Sequence, residues 1–396
     1  MISLDEALRK IFDALPETDT EDVPIYEASG RVLARWLEAS RDQPPFDASA
    51  MDGYAVRKSE ARPRAEFAVV GEVSAGENYS GTVRSGEAVR IFTGAPLPVG
   101  CDHVIIQEDA ERNGTRITLR DSFDSNSYVR PAGCDFRAGS GVGAPKKLSP
   151  VDTALLASMN HSKIPVYRRP VIALLPTGNE LSMPGDSEPG NVIASNPFAL
   201  KGIFEEAGAE VRLLPIAKDN ERSLSTAMSL ARDADILITI GGASVGKYDL
   251  VRSVAESLGA KLLFHGVAVR PGKPLMAGIL DETMLLAFPG NPVSSIVCAH
   301  VVGIPAIVAM QGLGRAHRKR NLGRLETPLG PNGPREHFMR AFVKKNCGFP
   351  SLQVFERQDS SLLSVMASAN ALVVRPPFGG SLDQGAEIEF IDLEAG

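Results

Sequence analysis

The sequence predicts a multidomain protein of the α/β plus β type, with a three-layer α/β domain in its second half and β-rich parts on either side. Three observations predict it. Between Pro170 and about Leu313, apolar strand patterns alternate with amphipathic helix patterns, as in a largely parallel sheet covered on both faces. From about 54 to 140, and again from about 322, short strands are broken by glycine turns. The 396 residues, with 37 Gly and 28 Pro, leave room for about two to three domains and many turns.

Taken in chain order, Ile2 to Leu15 reads as a helix. Ser3 is its N-cap, Glu6 three residues on completes a capping box, and Leu4, Leu8, Ile11, Phe12 and Leu15 share one face. Its mixed charge separates it from a signal peptide. "VPIYEASGRVLARWLEAS" reads as a strand, a turn and a second short helix. "RDQPPFDASAMDGYAV" is a Pro-rich crossing into a small β domain, whose strands lie in "EFAVVGEVSAGE", "EAVRIFTGAPLP" and "HVIIQEDAERNGTRITL". The glycine cluster in "AGCDFRAGSGVGAPKKLSP" closes that domain. Ser149 and Pro150 then open the helix "SPVDTALLASMN", with proline at a first-turn position.

The α/β pattern follows. Strands are read in "VIALLPTG", "AEVRLLPIA", "DILITIGG", "KLLFHGVAV", "KPLMAGIL" and "TMLLAFPG". Helices are read in "NPFALKGIFEEAG", "NERSLSTAMSLARDA", "YDLVRSVAESLGA" and "PVSSIVCAHVVGIPAIVAM". The last is the longest apolar run. His300, Gly303 and Pro305 interrupt it, so it is read as a buried helix and not a membrane span. The basic run "GRAHRKR" marks a linker. The β-rich end contains "REHFMRAFV", "LQVFE", "ALVVRPPF" and "AEIEFIDL", with a helix in "SSLLSVMASAN".

Composition narrows the function. A net charge of −6 argues against a nucleic-acid binder, which needs a basic face, but leaves open a local pocket for a small anion. Cys101, Cys134, Cys298 and Cys347 form no CxxC pair and suit a reducing, cytoplasmic setting. The six histidines form no HxxxH or HxxE pair, which disfavours a zinc hydrolase. No GxxxxGK[ST] or GxGxxG is present, and Ser294 and Ser295 have no His motif nearby.

In open α/β sheets, ligands bind beyond the carboxyl ends of the strands. Four loops stand there. One carries Thr177, Gly178, Asn179 and Glu180, and a second carries Gly241, Gly242, Ser244, Gly246, Lys247 and Asp249. A third carries Arg270 and Lys273, and the fourth runs from Pro289 to Ser295 at a helix start. Glycines allow close backbone approach, and exposed N–H groups at a helix start form an anion cradle. Asp249 could hold a divalent cation, and Arg270 and Lys273 could pair with an oxyanion. The bland alternative is that "GG" marks a tight strand-to-helix turn, that Glu180 is solvated, that "PGNPVSS" is a structural helix start, and that Asp135 only closes an Asx turn.

Eight segments in one order carry a wider resemblance. "SAMDGYA", "RIFTGAPLPVGCDHVI", "AGCDFRAG", "PTGNEL", "ADILITIGGASVGKYD", "PGKP", "FPGNPVSS" and "LLSVMASANALVV…GAEIEF" resemble the MoeA family of molybdopterin molybdenumtransferases, which includes the E domain of gephyrin. The resemblance spans roughly residues 1 to 394. It implies an elongated helical linking region (1–45 with 140–168), an inserted small β domain (46–139), a three-layer α/β molybdopterin-binding domain (169–316) and a C-terminal β-barrel (317–396). It also implies a homodimer. The implied reaction inserts molybdate into adenylylated molybdopterin with release of AMP, assisted by Mg²⁺. The implied partners are an adenylyltransferase and apo-molybdoenzymes.

Matched position by position, the resemblance implies catalytic roles for Asp52, Asp135, Glu180 and Asp249, with Glu180 and Asp249 at the metal. It implies ligand contacts from Thr93 and Thr177, from Gly241, Gly242, Ser244 and Gly246, and from Arg270 and Lys273. The "PGNPVSS" loop adds Pro289, Asn291, Pro292 and Ser294. Arg340 and Ser361 are further matches from the C-terminal part. Asp52, Thr93 and Asp135 are implied to face the cleft of the partner subunit. Asn179 stands where the family has Asp or Ser, Lys247 where an acid is common, and Arg270 where Lys is common; the last keeps charge but alters geometry. Two other functions compete. A molybdopterin adenylyltransferase resembles residues 170 to 313 alone, and a gephyrin-like scaffold would bind a receptor tail.

Overall fold

The N-terminal helix runs Leu4–Ala14, and Ser3 caps it, its Oγ accepting a 3.1 Å hydrogen bond from the Glu6 N–H. The structure is a computed structural model that describes residues 1–186, 189–242, 250–345 and 348–394. The helix's apolar stripe, Leu4, Leu8, Ile11 and Phe12, is buried in one core with Phe204, Leu286 and Met310 of the α/β domain. By packing, this helix covers one face of the α/β layers.

The stretch expected to form a second short helix does not. It forms two short strands, Val32–Leu33 and Leu37–Glu38. Long-range pairing outweighs the local helix propensity here. Val32–Leu33 sits in a four-stranded antiparallel sheet, ordered Thr20–Pro24, Lys163–Tyr167, Val32–Leu33, Lys146–Lys147. Leu37–Glu38 pairs with Gly141–Val142. Strands from before and after the insertion alternate in this sheet, so the chain leaves it after Leu33 and returns at Lys146, and the 37–38 and 141–142 pair clamps the two crossings together. The helix Pro150–Ser158 packs alongside with a complete capping box between Ser149 and Asp152.

The inserted segment forms a six-stranded sheet, ordered 103–106, 53–56, 87–91, 66–73, 116–119, 110–113. Side chains alternate across it. Tyr54 and Val56 join Phe67, Ile105 and Ile117 on one face, while Ala55 joins Val73, Val89 and Val104 on the other.

The α/β domain has a six-stranded sheet, ordered 210–213, 171–176, 236–240, 283–288, 276–280, 261–265. The first four strands are parallel; 276–280 runs antiparallel to them, and 261–265, paired antiparallel with 276–280, runs in their direction again. Val171–Pro176, Ile236–Ile240 and Thr283–Phe288 are buried along their whole length, as strands covered on both faces must be. One face packs on the N-terminal helix, the helix Asn196–Glu206 and the long helical run 292–310; the other packs on Glu221–Ser229 and Leu250–Ser257. The 292–310 run is long and apolar enough to cross a membrane, yet it is buried inside the protein. It widens to a π-turn at Ala299–Gly303, just before Pro305, which can donate no backbone hydrogen bond.

The segment read as one strand over "KLLFHGVAV" is two. Lys261–His265 stays in the α/β sheet, whereas Val269–Arg270 crosses over to pair in parallel with Glu336–His337. The C-terminal part is a closed five-stranded barrel. Strands 336–344, 351–354, 321–325, 387–392 and 371–375 pair in that order, and 371–375 pairs back onto 336–344.

His300, in the π-turn, is buried, and its Nδ1 has no hydrogen-bond partner among the described residues. Burial, with a smaller contribution from the charge of Arg318, pushes its pKa down to about 4. The unfolded imidazole titrates near its ordinary value of about 6.5. A depressed histidine favours the folded state above the unfolded pKa, and that contribution is lost as pH falls toward the folded pKa. Between pH 7 and pH 5 this one group should cost about 2 kcal/mol of stability. Urea unfolding at both pH values should show that His300→Leu loses about that much less than the wild type; equal losses would contradict the assignment.

Candidate functional site

The carboxyl ends of Val171–Pro176, Ile236–Ile240 and Thr283–Phe288 open into a cleft of about 1100 Å³. Thr177 stands at its floor. The Thr177 N–H donates to the Ile240 carbonyl at 3.0 Å, and the Gly241 N–H donates to Phe288 at 3.0 Å, so the three strand ends are tied side by side. Gly241 and Gly242 have φ of +98° and +65°. A Cβ on Gly241 would lie 2.6 Å from the Thr177 carbonyl oxygen, and one on Gly242 would lie 2.6 Å from Val251 Cγ2. Both positive φ and crowding therefore require glycine.

Two helix starts line the same cleft. Ser195, Asn196 and Pro197 form one, and Pro289 to Pro292 lead into the other. Each has Pro in its first turn. Helix starts carry unpaired N–H groups and the positive end of the helix dipole, which suits an anionic ligand. The two are locked together. Asn196 Nδ2 donates to the Gly290 carbonyl at 2.7 Å, and Ser295 Oγ donates to Pro289 at 2.5 Å. Asn291 Nδ2 reaches Ser360 Oγ at 3.0 Å, which joins the cleft to the barrel domain.

On the opposite wall, Asn179 and Asp219 are reciprocally bonded. The Asn179 N–H donates to Asp219 Oδ2, and the Asp219 N–H donates to Asn179 Oδ1, both at 3.1 Å. Asp219 and Glu180 both line the cleft. Among the described residues no group of three or more His, Cys, Asp or Glu is arranged to hold a metal.

The cleft thus brings together Thr177, Glu180, Gly241, Gly242, Pro289, Asn291, Pro292 and Ser361 from the sequence expectations. Ser294 is buried in its helix and does not line it. Arg270 and Lys273 stand beside it, on the segment whose Pro274 does line it. Ser244, Gly246, Lys247 and Asp249 lie outside the described residues. Arg340 is buried as a strut: its Nη1 donates to the Asp359 carbonyl and its Nε to Gln358 Oε1. Asp359 in turn accepts from the N–H and Oγ of Ser361.

Asp52 and Thr93 form a separate group on the inserted sheet and do not line the cleft of their own chain. Asp52 Oδ1 accepts from the Thr93 N–H at 2.8 Å and from Thr93 Oγ1 at 2.9 Å. The Thr93 N–H, then its hydroxyl, hold this carboxyl below the usual carboxylate range, and the Arg90 charge adds to the effect. Asp135 is exposed elsewhere on the inserted region, its N–H bonded to the Gln43 carbonyl at 3.0 Å.

Sequence reasoning passed over Asn196 and Asp219. Asn196 is only the first residue of the helix read in "NPFALKGIFEEAG", and Asp219 stands just before the helix read in "NERSLSTAMSLARDA", whose N-cap is Asn220. Only the fold shows that Asn196 reaches across to Gly290.

Three family models match the chain: the MoeA N-terminal region (domain I and II) over residues 2–160, a probable molybdopterin binding domain over 173–309, and the MoeA C-terminal region (domain IV) over 323–393. A molybdopterin molybdenumtransferase of Haemophilus influenzae is 34% identical, covering 98% of each chain. Another, from Nostoc sp., is 33% identical, covering 99% of this chain and 94% of its own. The crystal structure of a molybdopterin biosynthesis MoeA protein from Pyrococcus horikosii superposes with a TM-score of 0.84 at 29% identity, covering 100% of both chains.

Thr177 generates a prediction. It is only 3% exposed, it lines the cleft, and its Oγ1 has no hydrogen-bond partner among the described residues. A buried hydroxyl without a partner costs folding free energy. Thr177→Val removes the hydroxyl at nearly constant shape, so the ligand-free protein should unfold at the same urea concentration or gain about 1 kcal/mol. A loss of about 2 kcal/mol or more would show that the hydroxyl has a structural partner.

Proposed function

The chain belongs to the MoeA family of molybdopterin molybdenumtransferases, and on that premise we propose that it inserts molybdate into adenylylated molybdopterin, releasing AMP and giving the molybdenum cofactor. One observation carries the reading: a glycine-floored cleft where two helix starts converge at the ends of three parallel strands. Such a cleft suits the phosphates that link the pterin to adenosine.

The reaction replaces two molybdate oxygens by the two dithiolene sulfurs, the oxygens leaving as water, while a water molecule cleaves the phosphoanhydride bond and completes the phosphate of AMP. Mg²⁺ fits the cleft, because it typically takes one or two carboxylates together with substrate phosphate and water. Glu180 and Asp219, which both line the cleft, would hold it. When bound, it offsets the negative charge that develops as AMP leaves. The Asn196–Gly290 bond ties the two helix starts of one wall together and the Asn179–Asp219 bonds tie the two loops of the other, so each wall stays rigid while the substrate turns over.

The protein acts as a homodimer in the cytoplasm, with Asp52, Thr93 and Asp135 of one copy facing the cleft of the other. What supports this is that the Asp52 pair stands off its own cleft while its carboxylate is held ionised at the surface. Asp52, whose Oδ1 is already taken up by Thr93, would present its remaining carboxylate oxygen to the substrate as a hydrogen-bond acceptor. An adenylyltransferase supplies the substrate and apo-molybdoenzymes take the product.

Purified protein mixed with adenylylated molybdopterin, molybdate and Mg²⁺ should release AMP and yield cofactor that activates an apo-molybdoenzyme; EDTA should stop both. Formation of adenylylated molybdopterin from ATP would instead support the adenylyltransferase reading. Asp52→Ala should remain folded and lose about a hundredfold in AMP release. Full activity in that variant would remove Asp52 from the site.

A further inference from the structure

Asp52 sits on backbone that has no freedom to shift, and one side chain underlies that rigidity. Ser49 Oγ donates to the Met51 carbonyl at 2.6 Å, and the Gln107 N–H donates to the Asp52 carbonyl at 3.1 Å. A Cβ on Gly53 would fall 1.9 Å from the Ile105 carbonyl oxygen, so the next residue presses directly on the neighbouring strand. Arg90 lies opposite Tyr54 in the antiparallel register, on the same face as Phe92. Its guanidinium carbon is 5.0 Å from the centroid of each of those two rings. From there Nη2 donates to Gln107 Oε1 at 2.7 Å and Nη1 to the Gly53 carbonyl at 3.3 Å.

Arg90 therefore grips the chain on both sides of the Asp52 side chain. It holds the Gly53 carbonyl directly. It holds the Asp52 carbonyl through Gln107, whose side chain it binds and whose own N–H caps that carbonyl. Two residues further on in the Arg90 strand direction stands Thr93's neighbour Phe92, so the same side chain also braces the segment that delivers Thr93 to Asp52. A surface cation stacked on a ring is worth about 0.5–1 kcal/mol and needs only one ring. The planar fork between two rings, with donors spent on the flanks of one carboxylate, is a geometry that lysine cannot reproduce.

We propose that Arg90 is a positioning residue for the reaction, setting the direction in which Asp52 is presented to the substrate. The proposal rests on the reading of Asp52 as a site residue, and its test separates the two. Arg90→Met and Arg90→Lys are compared with the wild type, with Asp52→Ala and with the Asp52→Ala/Arg90→Met double variant. Hydrogen exchange by mass spectrometry reads peptides covering Thr93 and Gln107, whose N–H groups both bond to Asp52. In Arg90→Met these amides should exchange about tenfold faster or more, while peptides of the α/β sheet stay at the wild-type rate. The kcat of AMP release should fall about tenfold or more with KM little changed, and Arg90→Lys should lie between. In the Asp52→Ala background, Arg90→Met should cost nothing further, because it acts through the missing carboxylate. Wild-type exchange at both amides, an unchanged kcat, or a further loss in the double variant would each overturn the proposal. Should Arg90→Met fail to fold, Arg90→Lys is read by the same criteria. A fully active Asp52→Ala would instead overturn the assignment of Asp52, and the exchange result would still report whether Arg90 holds the loop.

Discussion

No side chain larger than hydrogen fits where the Ile236–Ile240 strand passes Thr177, and the cleft depends on that constraint. Gly241 and Gly242 turn the chain through positive φ within 2.6 Å of what a Cβ would strike. With the turn made there, the parallel strands can stop together and their polar loops emerge at one edge. The strands are buried from end to end, so polar groups have nowhere else to go. The Asn196–Gly290 and Asn179–Asp219 bonds then brace the loops of its two walls, each within its own wall. Packing against the barrel, through Asn291–Ser360 and the Arg340 strut behind Ser361, closes its far end.

The Asp52 group, the second half of the proposed site, is built by a different device. Strands from either side of the insertion alternate in one small sheet, so the inserted domain is carried on a paired stalk. The inserted sheet presents Asp52, Thr93 and Arg90 from neighbouring strands and their turns. The carboxylate is kept ionised by hydrogen bonds and not by burial, which leaves it available to a ligand at the surface. On the proposed function, a cleft without Asp52 and an Asp52 away from that cleft, in one chain, act as complementary halves. That is the physical case for two copies acting together.

Much of this was legible in the sequence. Alternating apolar runs disclosed the α/β layers, because doubly covered strands must be apolar throughout. The Ser3 and Ser149 caps announced their helices through side-chain chemistry local to each turn. The strand-end loops pointed to Thr177, Glu180 and the 289–292 turn. What stayed hidden depended on distant partners. The stretch around Val32 to Glu38 becomes strand only because residues 141–147 and 166 lie beside it. The "KLLFHGVAV" segment divides because Glu336–His337 recruits its end. Asn196, Asp219 and Arg90 look ordinary in sequence, since their roles lie in bonds to Gly290, Asn179 and Gly53, each far along the chain or across a sheet.

The central claim is that a working site needs the cleft of one copy and the Asp52 loop of another. The most direct measurement mixes two inactive variants, Asp52→Ala and Glu180→Ala, after unfolding and refolding them together, and follows AMP release. In a mixed dimer one site carries both lesions and the other carries neither. With random pairing, the mixture should recover about a quarter of the wild-type activity. Recovery no greater than the sum of the two variants measured alone, with mixed dimers demonstrably present, would contradict the account.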